Sequence, residues 1–252
     1  MSITVVVGAS SGIGRAAAIR AAEGGSGVIL TYSSNEAGAL ETVAHIQGLG
    51  VEAVALRLDL GDSVSIRGFR AAVEQALTQT WGAQSFTGLV NNAGFGGGTM
   101  FADTTEEQLD RFYRVLFKGP YLLTQELLPL LADGGAIVNT ASNSAATLGL
   151  SEGFSAYGSM KGAVVVLTRY LAKELSRRGI RANSVSPGPT RTPFAGGAFE
   201  TMPELTADLE SRTALGRLGE PDDIGPVIAF LLSDAGRWIT GQDIEVTGGF
   251  NL

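Results

Sequence analysis

The 252-residue sequence predicts an α/β fold of the doubly wound kind, a six- or seven-stranded, mostly parallel sheet with helices on both faces, in a single domain over residues 1–252. Three observations carry this. Short β-branched runs alternate with longer stretches of helical period along the chain, as βα crossovers require. The runs Val5-Val6-Val7, Val28-Ile29-Leu30 and Ala136-Ile137-Val138 are apolar without interruption, which suits strands covered on both sides. The 35 glycines, about twice the ordinary share, fall at the junctions between segments rather than in a low-complexity tract.

Taken in order, residues 3–7 read as a strand, followed by a glycine-rich turn and an alanine-rich helix over 13–23. The pattern repeats with a strand at 27–32, a helix at 35–48, a strand at 51–58, a helix at 63–79 and a strand at 86–91. A helical stretch over 105–132 precedes a strand at 135–141. A helix at 155–178 stops at Gly179 and leads to a strand at 180–186. Beyond a segment rich in Pro, Gly and Thr, residues 221–232 read as a helix and 243–246 as the last strand. No linker divides the chain, and no solenoid-type repeat occurs.

Composition narrows the chemistry. Lys and Arg total 18 against 25 Asp and Glu, a net charge of −7 that disfavours binding nucleic acid by bulk attraction. With no Cys and one His, His45, the chain offers no disulfide, no thiol nucleophile and no thiolate or multi-His metal site. No apolar run approaches the roughly 18 residues of a membrane span, and the start lacks a basic leader, so a soluble cytoplasmic protein with no membrane partner is expected. Charged residues make up only 17%. The stretches 105–132 and 155–178 carry apolar residues on more than one face, Leu122, Leu123, Leu127, Leu128 and Val164, Val165, Val166, Leu167 among them. Part of the surface is therefore expected to be covered by other subunits.

Three groups of residues point to a reaction. Gly8-Ala9-Ser10-Ser11-Gly12-Ile13-Gly14 joins the first strand to the first helix. Glycines there let backbone approach a pyrophosphate, whose charge the N–H groups of the helix start can meet. Tyr157 and Lys161 are four residues apart within a helical stretch, hence on one face. An ammonium at that spacing favours the phenolate and is expected to lower the Tyr pKa toward working pH, making the phenol a usable proton donor and acceptor. Ser142 follows the strand at 135–141 and lies at the sheet's C-terminal edge, where open α/β folds bind ligands.

With these motifs in this order, the chain resembles a short-chain dehydrogenase/reductase from residue 3 to residue 249. The likeness is carried by the glycine turn, Asp59-Leu60, Asn91-Asn92-Ala93-Gly94, Ser142, Tyr157 with Lys161, Asn183, Pro187-Gly188, Thr192 and residues 241–249. The resemblance implies a Rossmann-like fold and hydride transfer between a nicotinamide dinucleotide and a carbonyl or secondary alcohol. Tyr157 would be the acid/base, Lys161 would lower its pKa and hold the nicotinamide ribose, and Ser142 would hydrogen-bond the substrate carbonyl. Gly8, Ser10, Gly12, Ile13 and Gly14 would cradle the pyrophosphate. Asp59 and Leu60 would flank the adenine, while Asn91, Ala93 and Gly94 would line the wall beside the adenosine ribose. Pro187, Gly188 and Thr192 would close over the nicotinamide amide. Relatives pair such helices into dimers and tetramers, so a homotetramer or homodimer is expected. The chemistry needs no metal.

One position departs from the family pattern. Leu116 stands where the family usually has an Asn that holds a water extending the proton relay from the Lys, and Leu cannot hydrogen-bond. Two accounts follow: reprotonation through the ribose hydroxyls and solvent, or a dinucleotide-binding module with weak or no catalysis. The joint presence of Ser142, Tyr157 and Lys161 favours the first.

For the dinucleotide, a carboxylate ending the second strand would bind a ribose 2′-OH and repel a 2′-phosphate. Here the region reads Tyr32-Ser33-Ser34-Asn35, with no acid before Glu36. The missing charge favours NADP(H) over NAD(H), with Tyr32, Ser33 and Ser34, Ser11 in the glycine turn and Arg15 just beyond it as the expected contacts. No Arg or Lys lies in the loop itself or at residue 11. A substrate loop is expected over about 187–210, bearing Phe194, Phe199 and Met202. With Phe95, Met100 and Phe101 on another loop, it points to an uncharged, hydrophobic ketone, although ordinary packing explains such residues nearly as well.

Overall fold

The computed structural model describes residues 2–193 and 198–252. Among these, seven strands form one parallel sheet: β1 Ile3–Val7, β2 Gly27–Tyr32, β3 Ala53–Arg57, β4 Phe86–Asn91, β5 Leu131–Thr140, β6 Arg181–Pro187 and β7 Asp243–Val246. Their order is 3-2-1-4-5-6-7. The chain runs outward from β1 to β3 and then returns to place β4 on the other side of β1. That reversal opens a crevice outside the C-terminal ends of β1 and β4, the ligand-binding position of open α/β sheets.

Alternation along the strands supplies two cores. Val6, Val28, Leu30, Val90, Val138 and Val185 face one layer, where α1 Gly12–Glu23 and α9 Pro221–Leu232 pack with α2 Glu36–Gly48. Alanines make α1 thin, and a Cβ at Gly225 of α9 would lie 2.9 Å from Ala16 backbone, so these two helices cross closely. On the other side Val5, Val7, Ile29, Leu89 and Ile137 meet α3 Ser63–Ala76, α5 Gly119–Leu127 and the end of α6 Ser155–Glu174.

Boundaries depart from expectation in four places. The stretch 105–132 is not one helix. It comprises α4 Glu106–Phe112, capped by a Thr105–Gln108 box, a π turn over Tyr113–Lys118, and α5 with Pro120 in its first turn. Gly119 sits so close to Leu60 that a Cβ there would lie 2.6 Å from the Leu60 carbonyl oxygen. The strand expected at 135 begins at Leu131, because Leu131 already pairs with Phe86 before a register shift. Likewise α3 gives way to a π turn over Leu77–Trp81, ended by Gly82 at φ 62°. Beyond the end of β6, α7 Ala198–Thr201 and α8 Pro203–Ser211 replace much of the expected loop, and Phe194 lies outside the described residues.

The apolar excess on the long helices also divides differently. Leu123, Leu127, Val164 and Val165 are buried, and Leu122 and Leu128 pack against the core from its edge. The residues left facing outward are Leu109, Tyr113, Tyr121, Val166 and Tyr170. Among the described residues no helix is long and apolar enough to cross a membrane.

Candidate active site

The glycine turn is built from β1 outward. Gly8 takes φ 77°, open to glycine at little cost, and a Cβ there would lie 2.6 Å from Ala93. Thr31 accepts the Gly8 N–H at 3.0 Å, and Asn92 Nδ2 donates to the Gly8 carbonyl oxygen at 3.0 Å. From α2, Thr42 donates to Ala9 O at 3.1 Å, and just before that helix Asn35 Nδ2 donates to Ser10 O at 3.4 Å. Ser11 precedes α1 in an extended conformation without a side-chain capping bond. The first turn of α1, Gly12-Ile13-Gly14, therefore presents backbone N–H groups at the mouth of the crevice. A Cβ on Gly12 would lie 3.2 Å from Thr192 Cγ2, so Thr192 stands against the turn. The cradle is shaped for a group that touches backbone, and a dinucleotide pyrophosphate fits it.

Across the crevice, Ser142, Tyr157 and Lys161 come together, all buried. Residues 157 and 161 lie on α6, one turn apart, while Ser142 follows β5. The Tyr157 and Ser142 hydroxyls are hydrogen-bonded, and Ser142 Oγ accepts the Ser144 N–H at 3.1 Å. Lys161 Nζ donates to the Thr140 carbonyl oxygen at 2.7 Å and lies 5.8 Å from the Tyr157 ring centroid. The Tyr157 ring meets Phe112 and Phe154 edge-on, with centroids 6.3 and 6.1 Å away.

This burial reverses one expectation. The Tyr157 phenol is not brought toward working pH: desolvation pushes it up to about 12, with the Ser142 hydrogen bond pulling the other way. Lys161 is itself brought down to about 8 by burial. Leu116 belongs to the same enclosure. It is buried in the π turn against Phe112, Ala156 and Tyr157. A Cβ on Gly94 would lie 3.0 Å from Leu116 Cδ2 and 3.9 Å from Lys161 Nζ, so Gly94 borders both side chains.

The remaining expected contacts separate into two groups. Ala93 and Gly94 border the crevice through their closeness to Gly8 and to Lys161. Asn91 instead turns its amide inward, Nδ2 donating to Thr124 Oγ1 at 3.0 Å and to Asn139 Oδ1 at 2.8 Å. Asp59 Oδ1 is engaged by the Gly61 N–H at 2.8 Å, and Leu60 is buried in the core. Arg15 pairs with Glu41 at 3.6 Å. The Tyr32 hydroxyl donates to Glu36 at 2.8 Å, and that bond raises its pKa above the ordinary phenol value. The Ser33 carbonyl accepts from Arg57 Nε at 3.3 Å.

Sequence reasoning missed Asn92 as the brace of the turn, Arg57 beside Ser33, the Thr140 carbonyl that holds Lys161, and Phe154 against Tyr157. Asn92 lies within the Asn91-to-Gly94 motif, whereas the others depend on register and loop path. Phe95 is absorbed by packing, stacked on Phe112 with centroids 5.0 Å apart and covered by Arg111. A cavity of about 490 Å³, lined by Met100, Phe101, Leu150 and Phe154 among others, borders the buried trio without including it.

Comparison with known proteins agrees with this geometry. The family model described as enoyl-(acyl carrier protein) reductase matches residues 8–251. The chain is 34% identical over 260 residues to the NADPH-dependent aldehyde reductase-like protein, chloroplastic, of Arabidopsis thaliana, covering 98% of this chain and 93% of that one. Among solved structures it is similar to the promiscuous reductase LugOII, which catalyses keto-reduction at C1 during lugdunomycin biosynthesis, at 40% identity and TM-score 0.93, covering 100% of this chain and 98% of that one. It is similar also to the angucycline C-6 ketoreductase LanV with bound NADP, at 33% identity and TM-score 0.94, covering 99% and 95%. The chain belongs to the short-chain dehydrogenase/reductase family of NAD(P)-dependent oxidoreductases.

Proposed function

We propose that this protein reduces an uncharged, hydrophobic ketone with NADPH. The observation that carries the reading is the buried Ser142–Tyr157–Lys161 group at the crevice beside the glycine turn, next to a cavity that Met100, Phe101, Leu150 and Phe154 line together with Glu152 and four serines. The keto-reductions named for LugOII and LanV support a ketone substrate, and the NADP bound to LanV supports the cofactor. Gly8, Gly12 and Gly14 with the N–H groups of α1 hold the pyrophosphate, Ala93 and Gly94 line the wall, and Pro187 to Thr192 cover the nicotinamide end. The segment 187–210 serves as the substrate cover, formed in part by α7 and α8.

Bound NADPH supplies the hydride equivalent to the carbonyl carbon. The residues manage the proton and the oxygen. At neutral pH Tyr157, raised to about 12, holds its proton, the state a donor to a nascent alkoxide needs. Ser142 polarises the carbonyl oxygen and fixes its place beside the phenol. Once Tyr157 has released its proton, the nearby ammonium of Lys161 stabilises the phenolate.

The test follows NADPH absorbance with a panel of polycyclic aryl ketones and charged keto acids. The aryl ketones are expected to be consumed and the keto acids not. Binding of NADPH without consumption would instead support a non-catalytic module. The pH dependence has a definite sign. Lys161 is charged below about 8 and neutral above it, whereas Tyr157 stays protonated until about 12. In reduction, kcat/KM for NADPH should be level from neutral pH downward and fall as pH rises through about 8. A rate that climbs across that range would contradict the assignment.

A homotetramer or homodimer completes the proposal. Tyr113, Phe117 and Tyr121 form an aromatic row with ring spacings of 6.2 and 6.1 Å, and with Val166 and Tyr170 they leave an apolar surface on the π turn, α5 and α6. Light scattering at micromolar concentration should give two or four times the chain mass, and a monomer would count against pairing through these helices.

A further inference from the structure

The loop that follows β2 borders the glycine turn. Asn35 Nδ2 donates to Ser10 O, and α2 passes so near that a Cβ on Gly38 would lie 2.4 Å from the same oxygen. The adenosine half of a dinucleotide held at the turn therefore reaches residues 33–35. Sequence offers only hydroxyls and an amide there, but the parallel register sets Arg57, the last residue of β3, beside Tyr32. Arg57 Nε donates to the Ser33 carbonyl oxygen, which lays the guanidinium against this loop. A guanidinium carries five N–H donors in a rigid fork, and Ser33 uses one. Among the described residues no carboxylate lies within ion-pair range of Arg57. The neighbouring cation, Arg15, is paired with Glu41, and the neighbouring acid, Glu36, is held by Tyr32.

We propose that Arg57 is the specificity-determining residue for the cofactor, pairing with the 2′-phosphate of NADP(H) from its position on the Ser33 carbonyl. The inference deepens the NADP(H) reading of the site and rests on it. Arg matches phosphate oxygens with parallel N–H donors, a stronger and more selective contact than serine hydroxyls provide. Where a carboxylate would select a free ribose, this fold brings a cation from the adjacent strand.

Calorimetric titration with adenosine 2′,5′-bisphosphate and with 5′-AMP isolates the phosphate without requiring turnover. The unaltered chain should bind the bisphosphate more tightly. Arg57→Gln should weaken it by about 10- to 100-fold and leave 5′-AMP unchanged, while Arg57→Lys, a point charge without the fork, should fall between. Arg57 is exposed, so the melting midpoint should hold and serves as the folding control. If the unaltered chain binds both nucleotides equally, the NADP(H) preference fails and this inference with it. If it prefers the bisphosphate but Arg57→Gln keeps that preference, or weakens both nucleotides alike, the role of Arg57 is overturned while the preference stands.

Discussion

Gly14→Ala should abolish useful dinucleotide binding, lowering NADPH affinity by about 100-fold or more, since misplacing a binding group by an ångström can cost that much. The added Cβ would lie 2.1 Å from the Gly8 carbonyl oxygen and 2.5 Å from Asn92 Nδ2. Neither neighbour can yield cheaply. One is backbone within the turn, and the other is the amide that braces that same carbonyl at 3.0 Å. Relief requires α1 to move away from β1, which separates the helix N–H groups from the pyrophosphate they are placed to meet. The overpacking should also reduce stability by about 1–3 kcal/mol. Fluorescence titration with NADPH and urea unfolding read the two effects separately. Gly48→Ala is the control, because nothing lies within 4 Å of a Cβ there. Unchanged NADPH affinity in Gly14→Ala would contradict the cradle.

Much of this architecture was legible in the residues themselves. Uninterrupted runs such as Val28-Ile29-Leu30 suit strands buried on both faces, and their alternation with helices points to the parallel sheet that the structure shows with seven strands. The Tyr157–Lys161 spacing places both groups on one helical face wherever that helix packs. What periodicity cannot show is where a helical stretch changes its winding. Residues 105–132 keep an apolar pattern through a π turn and a Pro-initiated restart, and the close approach of Gly119 to Leu60 that accompanies the break is a tertiary contact. Arg57 was hidden for a related reason. It is 25 positions from Tyr32 in sequence and becomes its neighbour only through the β2–β3 register.

The proton chemistry was legible in its parts and misjudged in its balance. Lys161 beside Tyr157 suggests an acidified phenol, but both groups are buried, and desolvation is the largest influence on each. Leu116 contributes to that dryness. Leu116 packs with Tyr157 in that enclosure, and the ammonium of Lys161 finds its partner in the Thr140 carbonyl.

The central claim is that the Tyr157 hydroxyl supplies the proton during ketone reduction, and Tyr157→Phe tests it most directly. The ring should keep its edge-on contacts with Phe112 and Phe154, and Ser142 its bond from the Ser144 N–H, so the fold and NADPH binding should survive. Measured with a polycyclic aryl ketone that the unaltered chain consumes, kcat should fall by about 10²- to 10⁴-fold, the usual worth of a positioned general acid, while the NADPH dissociation constant stays unchanged. A Tyr157→Phe protein that turns over at the rate of the unaltered chain would contradict the account.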